Sequence, residues 1–387
     1  MKHFLILLLV LLVFSAQGQA VEIQGRVFED RNGNKLLDQE EEGIPKVRVS
    51  DQVNTTATDQ DGYFSLTTGG DFPYVFISQP SGYVGVWYYQ KASEVNFPLR
   101  KSAPQQHFTF IHASDTHVES VMLPRMNRFR ELADSKGAQF IIITGDLIKD
   151  ALRANEDTAR EYFELYVAEI KKFKTPVYSA VGNHDIFGIE RDKSLVSTEH
   201  PLYGKKMYRH YLGPNYYSFN VGGVHFVAVD GVDYQNLYYF GGVDALQLQW
   251  LEADLERLPL GTPVVTFNHI PFVSPGFSFR SFDDHAFYGP KLLDQNGTLK
   301  HRDIVYNFQK VRDVIGGRPY PLALAGHYHA AQEGSIAGDE TLFAQTSAIT
   351  GPDPFQYHGL AVRSGFTLYE VKDRKVVSSE FIPLDLP

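Results

Sequence analysis

The chain has 387 residues, 43% of them hydrophobic and 21% charged, which suits two or three globular domains with at least one large core and excludes disorder as the default. Its formal net charge of −10 argues against a nucleic-acid backbone as the main partner, because that ligand selects a basic face. There is no cysteine, so disulfides, thiolate zinc sites and a cysteine nucleophile are excluded, and any metal must be held by oxygen and imidazole nitrogen.

Residues 1–20 read as an export signal. Lys2 and His3 form a short polar start, residues 4–14 are an unbroken apolar run too short to span a bilayer comfortably, and small residues follow. Cleavage after Gly18 or after Ala20 fits the small-x-small rule. The expectation is a protein exported to the periplasm or the extracellular space. No later segment is apolar enough to cross a membrane, and the sequence does not fix the oligomeric state.

Residues 21–101 carry short alternating runs, at 21–27, 47–50 and 63–67, between clusters of Gly, Asp, Asn and Pro. That is the texture of an all-β domain. Within it, Asp30, Asn32, Asn34, Asp38 and Glu41 stand at positions one, three, five, nine and twelve of a twelve-residue loop. The spacing is that of an EF-hand calcium loop, although Gly33 falls at position four and the flanks are strand-like. The loop reads equally as a calcium site or as a metal-free turn closed by Asx hydrogen bonds. Together with Gly43-Ile44-Pro45 and the run from Thr58 to Tyr63, it resembles the collagen-adhesin B-type, transthyretin-like Ig domains of bacterial surface proteins, some of which bind calcium in such a loop. The resemblance implies a spacer or recognition module.

After a linker at 101–106, short apolar runs alternate with amphipathic stretches. Strands are expected at 108–113, 140–144, 176–181, 264–268 and 322–325, and helices at 122–135, 156–173, 244–258 and 302–314. Residues 216–229, broken at Gly222-Gly223, read as a hairpin, as do 366–371 and 376–382 across Asp373-Arg374. Strand, loop, helix, repeated, is an α/β layout in which sites form at the carboxyl ends of strands.

Five loops follow such strands directly: Asp115-Thr116-His117, Gly145-Asp146, Gly182-Asn183-His184-Asp185, Asn268-His269 and Gly326-His327-Tyr328-His329. Carboxylates, an amide oxygen and imidazoles are ligands for divalent metals of intermediate hardness such as Mn, Fe or Zn. The one-residue spacing of Asp115 and His117, and of His327 and His329, would put each pair on one face of an extended segment. Glycines before Asp146, Asn183 and His327 would let the chain turn sharply. One such loop alone is ordinarily structural; five in order, each behind a strand, point to a metal site.

This set resembles the calcineurin-like metallophosphoesterase superfamily, over roughly residues 107–386. The resemblance implies an α/β four-layer sandwich, two β-sheets flanked by helices, in a domain spanning 102–387, with two metals at its rim. By position, Asp115, His117, Asp146 and His329 would hold one metal. Asp146, Asn183, His269 and His327 would hold the other, and His184 would face a phosphate-ester substrate. Two adjacent cations can share a hydroxide that attacks phosphorus in line, with His184 protonating the leaving alkoxide. The expected function is hydrolysis of phosphomonoesters or phosphodiesters. The alternative is a catalytically inactive surface binding protein on the same fold.

Departures from subfamily patterns matter. Protein phosphatases of this superfamily carry an Asp, and purple acid phosphatases a metal-binding Tyr, where this chain has Lys149. Both classes are disfavoured, and His184 lacks its motif carboxylate. Gly-Asn-His-Asp in place of Gly-Asn-His-Glu leans toward diesterase and nuclease-like branches. The segments 203–217 (with Lys205, Lys206 and Arg209), 234–240 and 277–288 (with Arg280) are aromatic-rich, and read either as a substrate rim or as loop packing. His112 and His285 read as structural, and Trp250 as a core anchor.

Overall fold

The structure is a computed structural model that describes residues 21–103, 105–278, 292–293, 296–351, 355–357 and 359–386. Residues 1–20, read above as an export signal, together with Arg280 and His285, lie outside the described residues.

Eight strands make up the front of the chain: β1 (Glu22–Glu29), β2 (Arg48–Ser50), β3 (Thr55–Ala57), β4 (Tyr63–Thr67), β5 (Tyr74–Ile77), β6 (Tyr83–Gly85), β7 (Tyr88–Gln90) and β8 (Phe97–Lys101). They form two four-stranded sheets, ordered β4-β1-β8-β6 and β3-β2-β5-β7. Ile23, Val27, Phe64, Leu66, Phe97 and Leu99 of the first sheet meet Val49, Val75 and Ile77 of the second in one buried cluster. The alternation in β4, where Phe64 and Leu66 are buried and their neighbours exposed, is the pattern of a sheet with one wet face.

From His107 strands alternate with helices. First come β9 (His107–Ala113), α1 (Leu123–Lys136), β10 (Phe140–Thr144), α2 (Glu156–Ile170) and β11 (Val177–Ala180). Then follow α3 (Arg191–Ser194), α4 (Lys205–Leu212), β12 (Tyr217–Val221), β13 (Val224–Ala228), β14 (Val232–Gln235) and β15 (Tyr238–Gly241). Next are α5 (Ala245–Glu256), β16 (Val264–Phe267), β17 (Leu292–Leu293), β18 (Leu299–Lys300), α6 (Phe308–Ile315) and β19 (Leu322–Ala325). The chain ends with β20 (Gln332–Gly334), β21 (Leu342–Gln345), β22 (Phe355–Tyr357), β23 (Leu360–Val362), β24 (Gly365–Lys372) and β25 (Lys375–Pro383).

Two sheets carry the domain, ordered β11-β10-β9-β24-β25 and β12-β13-β16-β19-β21-β20. In β10, Phe140 and Ile142 face the core that also holds Phe219, Phe226 and Phe267 of the other sheet. Ile141 and Ile143 face Met126 and Phe129 of α1 and Phe163 and Tyr166 of α2. Strands covered on both faces read as continuous apolar runs, which is why residues 140–143 contain no polar side chain. Trp250 and Leu251 of α5 and Val311 and Ile315 of α6 belong to the core on the side of the second sheet, completing helix, sheet, sheet, helix. Capping fixes the helix starts: Asn155 accepts from the Thr158 amide and Asp244 from the Gln247 amide.

β9, β10 and β11 run parallel to one another, as do β13, β16, β19 and β21. The carboxyl ends of β9, β10, β11, β16 and β19 therefore feed the five loaded loops. The closing hairpin turns where Asp373 and Arg374 both take positive φ, the geometry of a two-residue hairpin turn.

One element departs from expectation. The fourth long helix begins at Phe308 rather than at 302. Residues 301–307 are drawn off by the second sheet's loops: the Gly241 amide donates to His301 O, the Val305 amide to Pro271 O, and Asn307 is bound to both backbone groups of Val243. Tertiary hydrogen bonds outweigh local helical propensity here.

The front sheets are docked on the second domain. Gln52 bonds Asn215 and both accepts from and donates to Tyr216, Ser78 pairs with Ser218 and Asn220, and the Trp250 indole donates to Ser50 Oγ. Trp87 lies 4.5 Å from the Tyr217 ring, centroid to centroid, and Phe76 belongs to the second domain's core cluster.

Candidate metal centre

The loops reach one place through left-handed backbone. Asp115, His117, Asp146, His327 and His329 have φ of 52°, 39°, 48°, 75° and 58°. Non-glycine residues hold such angles at a cost of order 1 kcal/mol or more each, and cluster where surrounding contacts over-determine them. Here the Asp115 amide donates to Gly145 O, the His117 amide to Asp146 O and the Gly326 amide to His269 O, so the loops lock one another. The expectation of extended Asp-x-His and His-x-His segments is thereby corrected: each pair converges through turns, not through strand alternation.

The glycines also act differently from expectation. Only Gly145, with φ of 80°, takes a left-handed turn. Gly182 and Gly326 are required by close approach: a Cβ on Gly182 would lie 2.0 Å from the Asp146 amide nitrogen, and one on Gly326 1.8 Å from Ser114 Oγ.

Asp146 lies at the centre. Its Oδ2 is 3.2 Å from His269 Nε2, 3.6 Å from His117 Nε2 and 3.9 Å from His184 Nε2, while Oδ1 accepts from the His184 amide. Asp115 Oδ1 is 3.2 Å from His329 Nε2. Asn183 Oδ1 lies 3.0 Å from His269 Nε2, which in turn lies 3.1 Å from His327 Nδ1. Two ligand groups result, Asp115, His117, Asp146 and His329, and Asp146, His269 and His327, each with ligand atoms within 4.8 Å of one another and with Asp146 in both. Donors sharing an ion at about 2.1 Å stand roughly 3.0–3.4 Å apart, which is the spacing of most of these pairs. His117 Nε2 is buried and forms no hydrogen bond among the described residues. An unsatisfied buried acceptor of this kind fits a cation.

Outer contacts set each ring. His117 Nδ1 faces Lys149 O and His269 Nδ1 faces Thr144 O, which leaves both Nε2 atoms turned inward. His327 reverses this, with Nε2 on Asp303 Oδ1 at 2.9 Å and Nδ1 inward. A carboxylate behind a ligating histidine fixes its tautomer and raises its basicity. Asp303 carries no motif signal and was missed in the sequence, because it lies in the segment read as helix. Asp185 accepts from the amides of Leu147 and Ile148 and from Gly182 of its own loop, tying the Asp146 and His184 loops together.

The electrostatics are those of a cation site. Burial alone would lower the His269 pKa, but Asp146 reverses this and holds it at about 9; the same opposition lifts His329 through Asp115. His117 falls to about 4 because burial dominates. Burial works against the charge of Asp146, yet the surrounding imidazoles keep its carboxyl well below the ordinary range. Protons on the imidazoles balance the carboxylates, and metal binding would displace them.

His184 has a carboxylate after all. Its Nδ1 is 3.4 Å from Asp150 Oδ1, one residue beyond Lys149, and Asp150 is braced by Arg153, itself forked onto Glu190. Burial opposes its charge, but Asp146 and Asp150 together raise the His184 pKa. His184 and His329 have 26% and 35% of their side chains exposed, so the cluster opens to solvent on that side.

Other residues lie elsewhere. The Asn268 side chain donates to Ile270 O. His112 is buried against Thr144 Oγ1 and driven by burial to about 3, a neutral core residue. Residues 203–217 pack rather than form a rim: Lys205 is ion-paired with buried Asp230 at 2.7 Å, and Arg209 lies over the Phe72 ring of the front sheets. Residues 234–240 do reach the centre, with Tyr239 6.3 Å from the His327 ring and Arg302 stacked on Tyr239. In the front loop, Asp30, Asn32, Asn34 and Glu41 accept from loop amides, and both Asn side chains donate to Asp38. The loop closes on itself through Asx turns.

The family model described as calcineurin-like phosphoesterase matches residues 108–331, and that of the N-terminal region of calcineurin-like phosphoesterase matches residues 31–111. No curated protein matches the chain. Among solved structures, a dimetal phosphatase from Danio rerio is 14% identical with a TM-score of 0.46, covering 72% of this chain and 99% of its own. A purple acid phosphatase from yellow lupin (Lupinus luteus) seeds is 12% identical with a TM-score of 0.40, covering 88% of this chain and 69% of its own. GAP50 of Plasmodium, the anchor in the inner membrane complex, is 12% identical with a TM-score of 0.40, covering 72% and 85%. More than half of the chain fits one family model, so the chain belongs to the calcineurin-like phosphoesterases, hydrolases of phosphate esters.

Proposed function

We propose that the chain is an exported hydrolase of phosphomonoesters or phosphodiesters, with a signal at 1–20, a β-sandwich module at 21–101 and a catalytic domain at 102–387. Asp115, His117, Asp146 and His329 hold one divalent transition metal, and Asp146, Asn183, His269 and His327 the other. The carrying observation is Asp146, whose one carboxylate faces imidazoles of both ligand groups. The mixed oxygen and nitrogen donors suit Mn, Fe or Zn. Bound there, such metals supply Lewis acidity and a water of lowered pKa.

The chain's own residues do the rest. Asp146 positions the His184 loop by accepting its amide. His184, partly exposed and facing the carboxylates of Asp146 and Asp150, which favour its protonated form, delivers its proton to the leaving alkoxide oxygen. The front module, built of two four-stranded sheets, is on this reading a transthyretin-like Ig domain that serves as a spacer or recognition module. Its loop of Asp30, Asn32, Asn34, Asp38 and Glu41 remains a calcium site by proposal, tested by calorimetric titration of the full chain with calcium.

Replacing His184 by Ala tests the assignment. Turnover of an aryl phosphate is expected to fall ~10²–10⁴-fold with metal content unchanged. Unchanged hydrolysis would remove His184 from catalysis, and absence of hydrolysis in the wild type would favour the binding-protein reading.

A further inference from the structure

A second cavity, of about 320 Å³, opens where the front sheets meet the catalytic domain. It lies at the amino ends of β13 and β16, lined by His225, which pairs with Val264, whereas His269 follows the other end of β16. Five residues of extended chain separate the two levels, about 16 Å.

The cavity is cationic in a chain whose formal charge is −10. Lys46 and Arg48 line it from the front module and Arg257 from the end of α5. The single lining carboxylate, Asp254, is already held at 2.9 Å by His225, so within the lining three cations face one acid and two positive charges remain, while Glu256, outside the lining, acts on Arg48 from farther off. Among the described residues, none of the three cations has a carboxylate within ion-pair distance. Arg48 is only 9% exposed, and among the described residues its guanidinium makes one hydrogen bond, a long 3.5 Å contact to Asp254 O. A buried guanidinium is ordinarily paired, because its desolvation is otherwise uncompensated. Burial and the nearby Arg257 charge both press the Arg48 pKa down, and Asp254 offsets this only in part.

We propose that this inter-module cavity binds a doubly charged oxyanion of the phosphate class, with Arg48 as the buried anchor and Lys46 and Arg257 closing over it from the two domains. A guanidinium fork matches phosphate geometry, and a dianion balances the two surplus charges. The site is separate from the metal centre and couples the anion to the module interface.

Calorimetric titration of the metal-loaded full chain with inorganic phosphate at pH 8 tests this. The wild type is expected to show two binding events per chain, one at the metals and one here. The double variant Lys46→Gln, Arg257→Gln changes exposed side chains only, so folding is preserved, and it should weaken the second event at least about tenfold while hydrolysis without added phosphate is unchanged. Arg48→Met should abolish that event. Methylphosphonate stands in for an esterified phosphate: two events with it assign the site to phosphorylated molecules, and two events with phosphate alone assign it to the free ion. A single event in the wild type with both probes, or a second event that survives in the double variant, overturns the proposal.

Discussion

Among the side chains of the metal centre, His184 depends most on a neighbour that the motif does not supply. Its family partner position is Lys149, whose side chain turns to Glu119 at 3.0 Å, while the Asp150 carboxylate faces the imidazole at 3.4 Å. The shift by one residue works because Arg153 and Glu190 hold the Asp150 carboxylate toward His184. Asp150→Asn should therefore lower turnover at least about tenfold, the usual cost of losing an outer partner of a catalytic centre. The pH dependence has a definite sign. Asp150 helps keep the proton on His184, so its neutral replacement lowers the His184 pKa, and activity that needs protonated His184 is lost at lower pH. The alkaline limb of the kcat–pH profile should move to lower pH; an unmoved limb would disconnect Asp150 from the proton.

At the scale of elements, most of the frame was legible because apolar period and turn chemistry agree. Residues 140–144 and 322–325 are buried strands by composition, and Asp373-Arg374 is a hairpin turn by position. The loaded loops were legible as residue types, and the structure brings Asp115, His117, Asp146, Asn183, His269, His327 and His329 into one cluster. Their conformation was not legible, since left-handed φ at five non-glycine residues arises from bonds between loops distant in sequence. Asp303 and the true start of α6 were hidden for the same reason: residues 301–307 bond to residues 241–243 and 271, which no local pattern reveals. The glycines test the close-approach argument. Gly326→Ala forces a Cβ against Ser114 Oγ and within 2.7 Å of Asp115 Oδ2. It should destabilise the fold by about 1–3 kcal/mol in chemical denaturation and lower metal content, by displacing Asp115. Gly261→Ala, with nothing within 4 Å of its Cβ, is the control and should change stability by less than about 0.5 kcal/mol.

On the scale of the whole molecule, the front module is part of the catalytic domain's packing. Trp87 sits against Tyr88, Tyr178 and Tyr217, and Phe76 against Trp250, so the two units share aromatic contacts rather than a bare linker. The chain should accordingly unfold in one cooperative transition, and Trp87→Ala should cost at least about 2 kcal/mol of the whole. Two separate calorimetric transitions in the wild type would show the modules to be independent. The central claim concerns Asp146, one carboxylate serving two ligand groups. Metal analysis of purified chain, wild type beside Asp146→Asn, tests it most directly. Two metals per chain are expected in the wild type, with both metals and turnover lost in the variant; an Asp146→Asn protein that keeps two metals and full turnover would contradict the account.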